Sequence, residues 1–571
     1  MEETVEKRSA WVAIAFVVVS TGLELTAFLL GGLFSVVASR FWVISGVFCL
    51  VASLGLVVRG LARDLRERQL LGLLALLTVF AFVFTQLDWT SLEGGLADEG
   101  TREMEDTFRL AQRADLGFQQ VAFGYPTRHL LPSALPTWLL GRRIESHYLG
   151  FTLPFAWGLA VFHAGLVTHL RERRFGPLLA ALATLLLVTT RFTVFYLRQA
   201  EQSSLPLSYT LLTAGGLLLC LERLTAPRAV LVFWAGALLA ANYTPALASL
   251  GLLLSVLGLL AVGEAMRRRW LSTTLLLAAL AGLSVILAVW LAILRQTYFV
   301  EGRLGSMEAP AALVERGLVE LVGAGEGGVF FGPLLAVPML AYLALALLFR
   351  FGFRHFLVAA WSLVTVAAAV VLRGYANPLP DFALHRAMVV LPPLLWGLSV
   401  VLAKGLEKIR VPSGRVASAA VFAAMLWPVS RVLLPNLPSG WNRQTPVAYW
   451  VAKDGLAVTE RLGWGPGTAV LWVWKDEHVV FDQQAWAVVR YLRPAWDLVR
   501  VPEEGHAILR KDGQPVLLTV PRSIWFLPPG SELEGQLPRS THDVEAARLR
   551  YVEADGTETV VTRWIVTRKR A

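Results

Sequence analysis

The sequence predicts an all-α polytopic membrane protein that ends in a small α/β domain. Three observations predict this. Apolar residues make up 56% of the 571 residues and charged residues only 16%, too little charge to cover a soluble chain of this length. Apolar runs of roughly 17–25 residues recur, each long enough to cross about 30 Å of hydrocarbon at 1.5 Å per residue. Beyond residue 435 these runs cease and short β-rich stretches take over. A mean hydropathy of +0.57 and twenty Trp residues agree, since Trp favours the membrane–water interface.

Taken in order, about thirteen spans are expected, near 11–39, 41–58, 70–87, 150–170, 177–191, 204–221, 229–242, 244–262, 271–294, 330–350, 356–372, 386–403 and 416–434. The first apolar run outlasts a signal-peptide core and has no clear small-residue cleavage site, so it reads as an uncleaved anchor. Asn242-Tyr243-Thr244-Pro245 interrupts one long apolar run, and a proline without a backbone donor fits either a tight reversal or a kink. Basic clusters decide between them. They stand where alternate spans end: Arg59, Arg63, Arg66 and Arg68; Arg171, Arg173 and Arg174; Arg223 and Arg228; Arg267, Arg268 and Arg269; Arg350 and Arg354; Lys404, Lys408, Arg410 and Arg415. The positive-inside rule puts these connections and the N-terminus in the cytoplasm. A reversal at Pro245 keeps them on one side, and an odd number of spans then puts the C-terminal domain outside. The expected location is a bacterial inner membrane.

The net charge of +10 is thus read through topology. No loop is large enough to carry a basic DNA-binding stripe, so no nucleic-acid partner is expected. Cys49 and Cys220 sit inside apolar runs and read as small buried hydrophobes. Outside the membrane lie loops at 88–149, 191–203, 295–329 and 373–386. In the third, Glu301, Arg303 and Glu308 among many glycines fit either a mobile lid or a solvated surface. The domain at 435–571 has strand-like stretches at 469–474, 497–501, 516–520 and 559–567, and a helix at 483–492. Lys511-Asp512-Gly513 is a hairpin signal. The domain shows no phosphate-cradling glycine loop or nucleophile motif, which favours recognition or lid duty.

Asp98-Glu99 is the first candidate site. It opens a polar stretch directly after the 70–87 span. A carboxylate just above a membrane can act as general base on a substrate whose other end is in lipid; acids also start helices, where they cap free N–H groups. Residues 99–114 have helical character, with Met104, Phe108 and Ala111 on one face, and suit a helix lying in the interface. A second helix is expected near 132–140. Before it, Arg128-His129 offers cationic or hydrogen-bonding groups near Asp98, with headgroup contact or helix capping as the plainer reading. Glu24 lies midway along the first span, where a lone charge is costly and needs a partner. It is placed outside the catalytic site.

The order of a span, then Asp98-Glu99-Gly100-Thr101-Arg102-Glu103-Met104, then a Pro-rich stretch from Tyr125-Pro126 to Pro136-Thr137-Trp138, resembles the first external loop of the GT-C class glycosyltransferases that use polyprenyl-phosphate sugars. Protein O-mannosyltransferases and lipid A aminoarabinose transferases are members. Tyr196-Leu197-Arg198-Gln199-Ala200-Glu201-Gln202-Ser203-Ser204 and His385-Arg386 through Leu391-Pro392-Pro393 are similar to further motifs of that class. The resemblance covers most of 70–434 as short, scattered motifs. It makes residues 1–69 two additional N-terminal helices. It departs at Arg128-His129-Leu130-Leu131-Pro132, where many relatives have Lys-Pro-Pro, and at Phe151-Thr152-Leu153-Pro154, where an Arg is often found.

The resemblance implies a GT-C-like fold and sugar transfer from a polyprenyl-phosphate donor, with Asp98 as catalytic carboxylate. Glu99 is then a second carboxylate or the first-turn acid of the helix. Arg198 suits a phosphate, because its fork binds two oxygens at once. Glu201, three residues on, positions the acceptor, orients Arg198, or forms a simple ion pair with it. His385 and Arg386 are further phosphate or headgroup candidates. Membrane lipids are expected partners, and the acceptor is a glycan, a lipid or a protein. No cofactor is identified, and without metal-ligand spacing the dependence on a divalent metal stays open. A transporter or flippase, and a non-catalytic scaffold, are the competing classes.

Overall fold

The computed structural model describes residues 2–66, 107, 110, 128–141, 144–173, 175–189, 204–242, 245–294, 332–376 and 389–408, and parts of 454–569. Among the described residues the chain forms twelve α-helices: α1 Glu2–Leu30, α2 Gly32–Arg66, α3 Leu131–Leu140, α4 Ile144–Leu170, α5 Gly176–Thr189, α6 Leu205–Glu222, α7 Ala226–Ala240, α8 Pro245–Met266, α9 Trp270–Leu294, α10 Gly332–Leu347, α11 Phe353–Ala376 and α12 Leu391–Lys408. A 3-10 turn, Arg128–Leu130, leads into α3. Six of these helices (α1, α2, α4, α6, α8 and α9) are long and apolar enough to cross a membrane, and α5, α7 and α11 contain shorter apolar stretches. The chain is an integral membrane protein. The spans expected at 70–87 and 416–434 lie outside the described residues.

The first boundary differs from expectation. The turn between α1 and α2 falls at Gly31 and Gly32, with φ of +61° and +51°, and not near residue 40. Hydropathy runs unbroken through this point, so only the pair able to take left-handed backbone marks the reversal. The break at Asn242–Pro245 is a reversal, as the basic clusters require. A Cβ on Gly236 of α7 would lie 2.7 Å from Leu253 Cδ2 of α8, whereas a continuous helix would separate those residues by roughly 25 Å.

The centre of the bundle is the α4–α6 pair. A Cβ on Gly158 would meet the Ser208 carbonyl oxygen at 2.4 Å, and one on Gly215 would meet the Phe162 nitrogen at 2.5 Å. Small residues let the two backbones touch, a common membrane packing. The register, 158 against 208 and 165 against 215, makes α4 and α6 parallel. Both helices contribute to two apolar clusters. One is shared with α1, α2, α7, α8 and α9 and includes Trp234 and Trp290; the other is shared with α5, α10, α11 and α12 and includes Phe155 and Phe162. Helix α1 is built into this assembly, since a Cβ on Gly282 of α9 would meet Thr21 Oγ1 at 2.7 Å and Val17 Cγ1 at 3.0 Å. Elsewhere α1 and α2 present exposed apolar side chains such as Trp11, Leu33 and Phe48.

With these directions fixed, Arg173, Arg223, Arg228, Arg267, Arg268, Arg269, Arg350, Arg354, Lys404 and Lys408 all fall at one end of the bundle. This is the basic end. The Gly31 turn marks the opposite one.

Among the described residues, the C-terminal region contains three small sheets. Strands β1 Val470–Trp472 and β2 Leu498–Arg500 pair in parallel. Strands β3 Arg510–Lys511 and β4 Gln514–Pro515 form a hairpin, as Lys511-Asp512-Gly513 predicts. Strands β5 Arg522–Leu527, β6 His542–Val552 and β7 Glu558–Arg568 form an antiparallel sheet in the order β5-β7-β6. Strands β5 and β6 were not expected. β6 alternates poorly and carries charge along most of its length, which suits an exposed edge. The helix expected at 483–492 and the strand expected at 516–520 lie outside the described residues. Arg563 of β7 holds the Asp454 carboxylate through contacts of 2.6 and 2.5 Å.

Candidate functional site

Arg128 is the candidate residue whose side chain the structure places. It is 4% exposed and lies in the 3-10 turn before α3. Its Nε donates to Glu24 Oε1 at 3.2 Å, its Nη1 donates to Ser39 Oγ, and its Nη2 donates to the Ser35 carbonyl at 3.5 Å. Glu24, 1% exposed, accepts a second bond at 2.9 Å from Trp42 Nε1. Arg128 is thus a buried partner of Glu24. It ties the end of the 88–149 loop to α1 and α2, and it answers the question of what neutralises Glu24. The sequence signalled each member, but not the pairing across 104 residues.

His129 lies in the same turn. Asp98, Glu99, Arg198, Glu201, His385 and Arg386 lie outside the described residues. In the first loop, Thr107 and Leu110 are helical, in keeping with the helix expected at 99–114, and both are buried. Leu110 joins Leu130, Leu131 and Phe151 in one apolar cluster, which packs this residue with α3 and α4.

The α3–α4 contact is lined by small residues. A Cβ on Gly150 would lie 2.2 Å from the Ser133 carbonyl oxygen, so the two helices meet at backbone distance. Ser133, Thr137 and Ser146 along this seam have buried hydroxyls with no hydrogen-bond partner among the described residues. Sequence reading missed all three, since isolated Ser and Thr in apolar helices carry no signal of their own.

Two cavities bear on the site. The first, about 260 Å³, lies between α2, α3, α4 and α7. Its walls include Trp42, Trp157 and Trp234, whose indole N–H groups are satisfied by Glu24, Ser53 Oγ and the Trp42 carbonyl. What remains facing the space is apolar. The second, about 50 Å³, lies between α6, α8, α11 and α12. It is rich in hydroxyls: Thr210, Thr213, Ser249, Ser362 and Thr365. Thr210 donates to Ser249 Oγ at 2.9 Å, and Ser362 Oγ has no partner among the described residues. Val389, Val390 and Pro393 close its wall at the start of α12.

No protein-family model matches the chain, and no curated protein matches it. Among solved structures, it is similar to ArnT from Cupriavidus metallidurans in the apo state, at 15% identity over 86% of this chain and 97% of that one, with a TM-score of 0.47. It is also similar to ArnT from Cupriavidus metallidurans bound to undecaprenyl phosphate, with the same identity and coverage and a TM-score of 0.45.

Proposed function

We propose that the chain is an integral membrane glycosyltransferase that moves a sugar from a polyprenyl-phosphate donor to an acceptor on the extracytoplasmic face. One observation carries this reading. The stretches holding Arg198 with Glu201, and His385 with Arg386, lead into α6 and α12, and these two helices line the same hydroxyl-rich cavity. Glu201 precedes Leu205 by four residues and Arg386 precedes Leu391 by five, so chain length alone keeps them within about 14 and 18 Å of the starts of their helices. Two motifs 184 residues apart (Glu201 to His385) thus precede helices that share one cavity. The loops that carry both motifs, 191–203 and 373–386, are expected on the outer face under the positive-inside rule.

In the proposed reaction Asp98 accepts the proton of an acceptor hydroxyl while its oxygen attacks the anomeric carbon. The bond from that carbon to the phosphate oxygen breaks with inversion. The polyprenyl phosphate leaves with the bonding electron pair, stabilised by Arg198 through paired hydrogen bonds. His385 and Arg386 add positive charge for the phosphate, and Glu201 orients Arg198 or the acceptor. Glu99 holds the helix that presents Asp98. Arg128 positions the far end of the loop, because Glu24 already occupies its charge.

Membranes carrying Asp98→Asn, supplied with a polyprenyl-phosphate sugar, test the reading. Transfer is expected to fall by about 10²-fold or more, the usual range for losing a general base, with normal protein levels. Unchanged transfer would remove Asp98 from the mechanism.

A further inference from the structure

At the basic end of the bundle, a cleft of about 150 Å³ opens between α6, α8, α11 and α12. Its walls are apolar, among them Leu221, Val256, Leu259 and Leu260. Leu259 is 43% exposed, so the cleft borders the lipid-facing surface of α8. Two side chains break the apolar lining. Arg354, at the start of α11, is exposed and makes no ion pair among the described residues. Trp396 of α12 has a buried Nε1–H with no acceptor among the described residues. Its ring is held in place by the His355 imidazole, stacked at 5.3 Å and 8°, and His355 in turn contacts Tyr342 Oη at 3.1 Å.

Four other cations at this end are already engaged. Arg173 holds Glu407 at 2.8 Å, and Arg267 and Arg269 share Glu264 at 3.2 and 3.6 Å. Arg228 donates to the carbonyls of Leu219 and Arg223. Glu222 lies near His169. Arg354 differs in standing at the mouth of an apolar cleft beside a second donor that lacks an acceptor. Charge at the mouth, a donor in the wall and hydrocarbon-like lining describe an anionic amphiphile. The volume is below that of sites for compact drug-sized ligands and suits part of one extended chain.

We propose that this cleft is a binding site for an anionic phospholipid, with one acyl chain against Val256 and Leu260 and headgroup oxygens accepting from Arg354 and Trp396 Nε1. Basic pockets between membrane helices bind such headgroups for two reasons. The guanidinium fork matches phosphate, and each cation near a charged leaflet contributes about 1 kcal/mol, or roughly fivefold. The cleft adjoins the hydroxyl-rich cavity, with which it shares Ala214, Leu217, Leu252 and Pro393, and Arg354 stands at its basic end.

The test titrates the full-length protein in detergent with dioleoyl-phosphatidylglycerol, and separately with dioleoyl-phosphatidylcholine. Bound lipids are counted by native mass spectrometry. The glycerol lipid is expected to bind preferentially, with Arg354→Gln weakening it roughly fivefold and Trp396→Phe, which keeps the ring and removes the donor, weakening it less. Leu260→Trp is expected to block the acyl chain and reduce binding, while Lys408→Gln, which alters an exposed cation outside the cleft, leaves it unchanged. Equal binding of the two lipids, retention in Leu260→Trp, or an equal loss in Lys408→Gln would each overturn the proposal, the last by showing diffuse attraction without a site. Should Leu260→Trp fail to fold, Arg354→Gln against Lys408→Gln decides alone.

Discussion

Among the described residues, two ion pairs join distant parts of the helical bundle, one near each end. Arg173 meets Glu407 at 2.8 Å with side chains 41% and 30% exposed. Arg128 meets Glu24 at 3.2 Å with side chains 4% and 1% exposed. By distance the first is the better contact. By consequence the order reverses, because surroundings fix what happens when one partner is lost. An exposed charge regains water. A buried charge, left alone among helices, regains nothing.

Arg128→Met gives the largest expected effect. It leaves Glu24 buried without its counter-ion, which costs about 3–5 kcal/mol, seen as a lower unfolding midpoint in detergent. The same change releases the segment before α3 from α1 and α2, so transfer by the proposed enzyme falls with it. Glu24→Met combined with Arg128→Met is expected to recover most of the lost stability, because a pair replaced by apolar side chains is often close to neutral. A double variant as unstable as the single one would show that the loss comes from packing and not from the stranded carboxylate.

The contrast also shows where sequence reading succeeds. Apolar run length placed most described helices, since crossing a bilayer sets a length that any sequence must meet. Basic clusters selected a reversal at Pro245, and the α7–α8 contact agrees. The end of the first span was illegible by hydropathy, because Gly31 and Gly32 sit inside an unbroken apolar run and act through backbone freedom. Glu24 and Arg128 were each conspicuous as residues, yet their pairing depends on how α1 packs beside the turn before α3. No local pattern encodes that. The same holds for Arg354 and Trp396, which line one cleft only through the packing of α11 against α12.

Trp42→Phe sharpens the comparison at intermediate size. The indole donates to Glu24 at 2.9 Å, and a hydrogen bond to a charged group is worth about 1.5–3 kcal/mol. Phenylalanine keeps most of the ring that lines the cavity of about 260 Å³, so the change isolates the donor. The expected loss is about 1.5 kcal/mol, because Arg128 still neutralises the carboxylate. A loss equal to that of Arg128→Met would mean that Trp42, and not the arginine, is what makes Glu24 tolerable in the bundle.

Arg173→Gln should give the smallest change, at most about 1 kcal/mol, as for most exposed pairs. Its dependence on salt carries more information than its size. At 1 M ionic strength the screening length is about 3 Å, so the attraction between Arg173 and Glu407 is largely gone and the variant unfolds with the native protein. The penalty of Arg128→Met keeps its full size there, because ions do not reach a site that is 1–4% exposed. Measuring both variants at low and high salt separates the two pairs without reference to any distance. A salt-sensitive Arg128 penalty would place water and ions beside Glu24, and the tie between α1, α2 and the loop would then be a surface contact like the other.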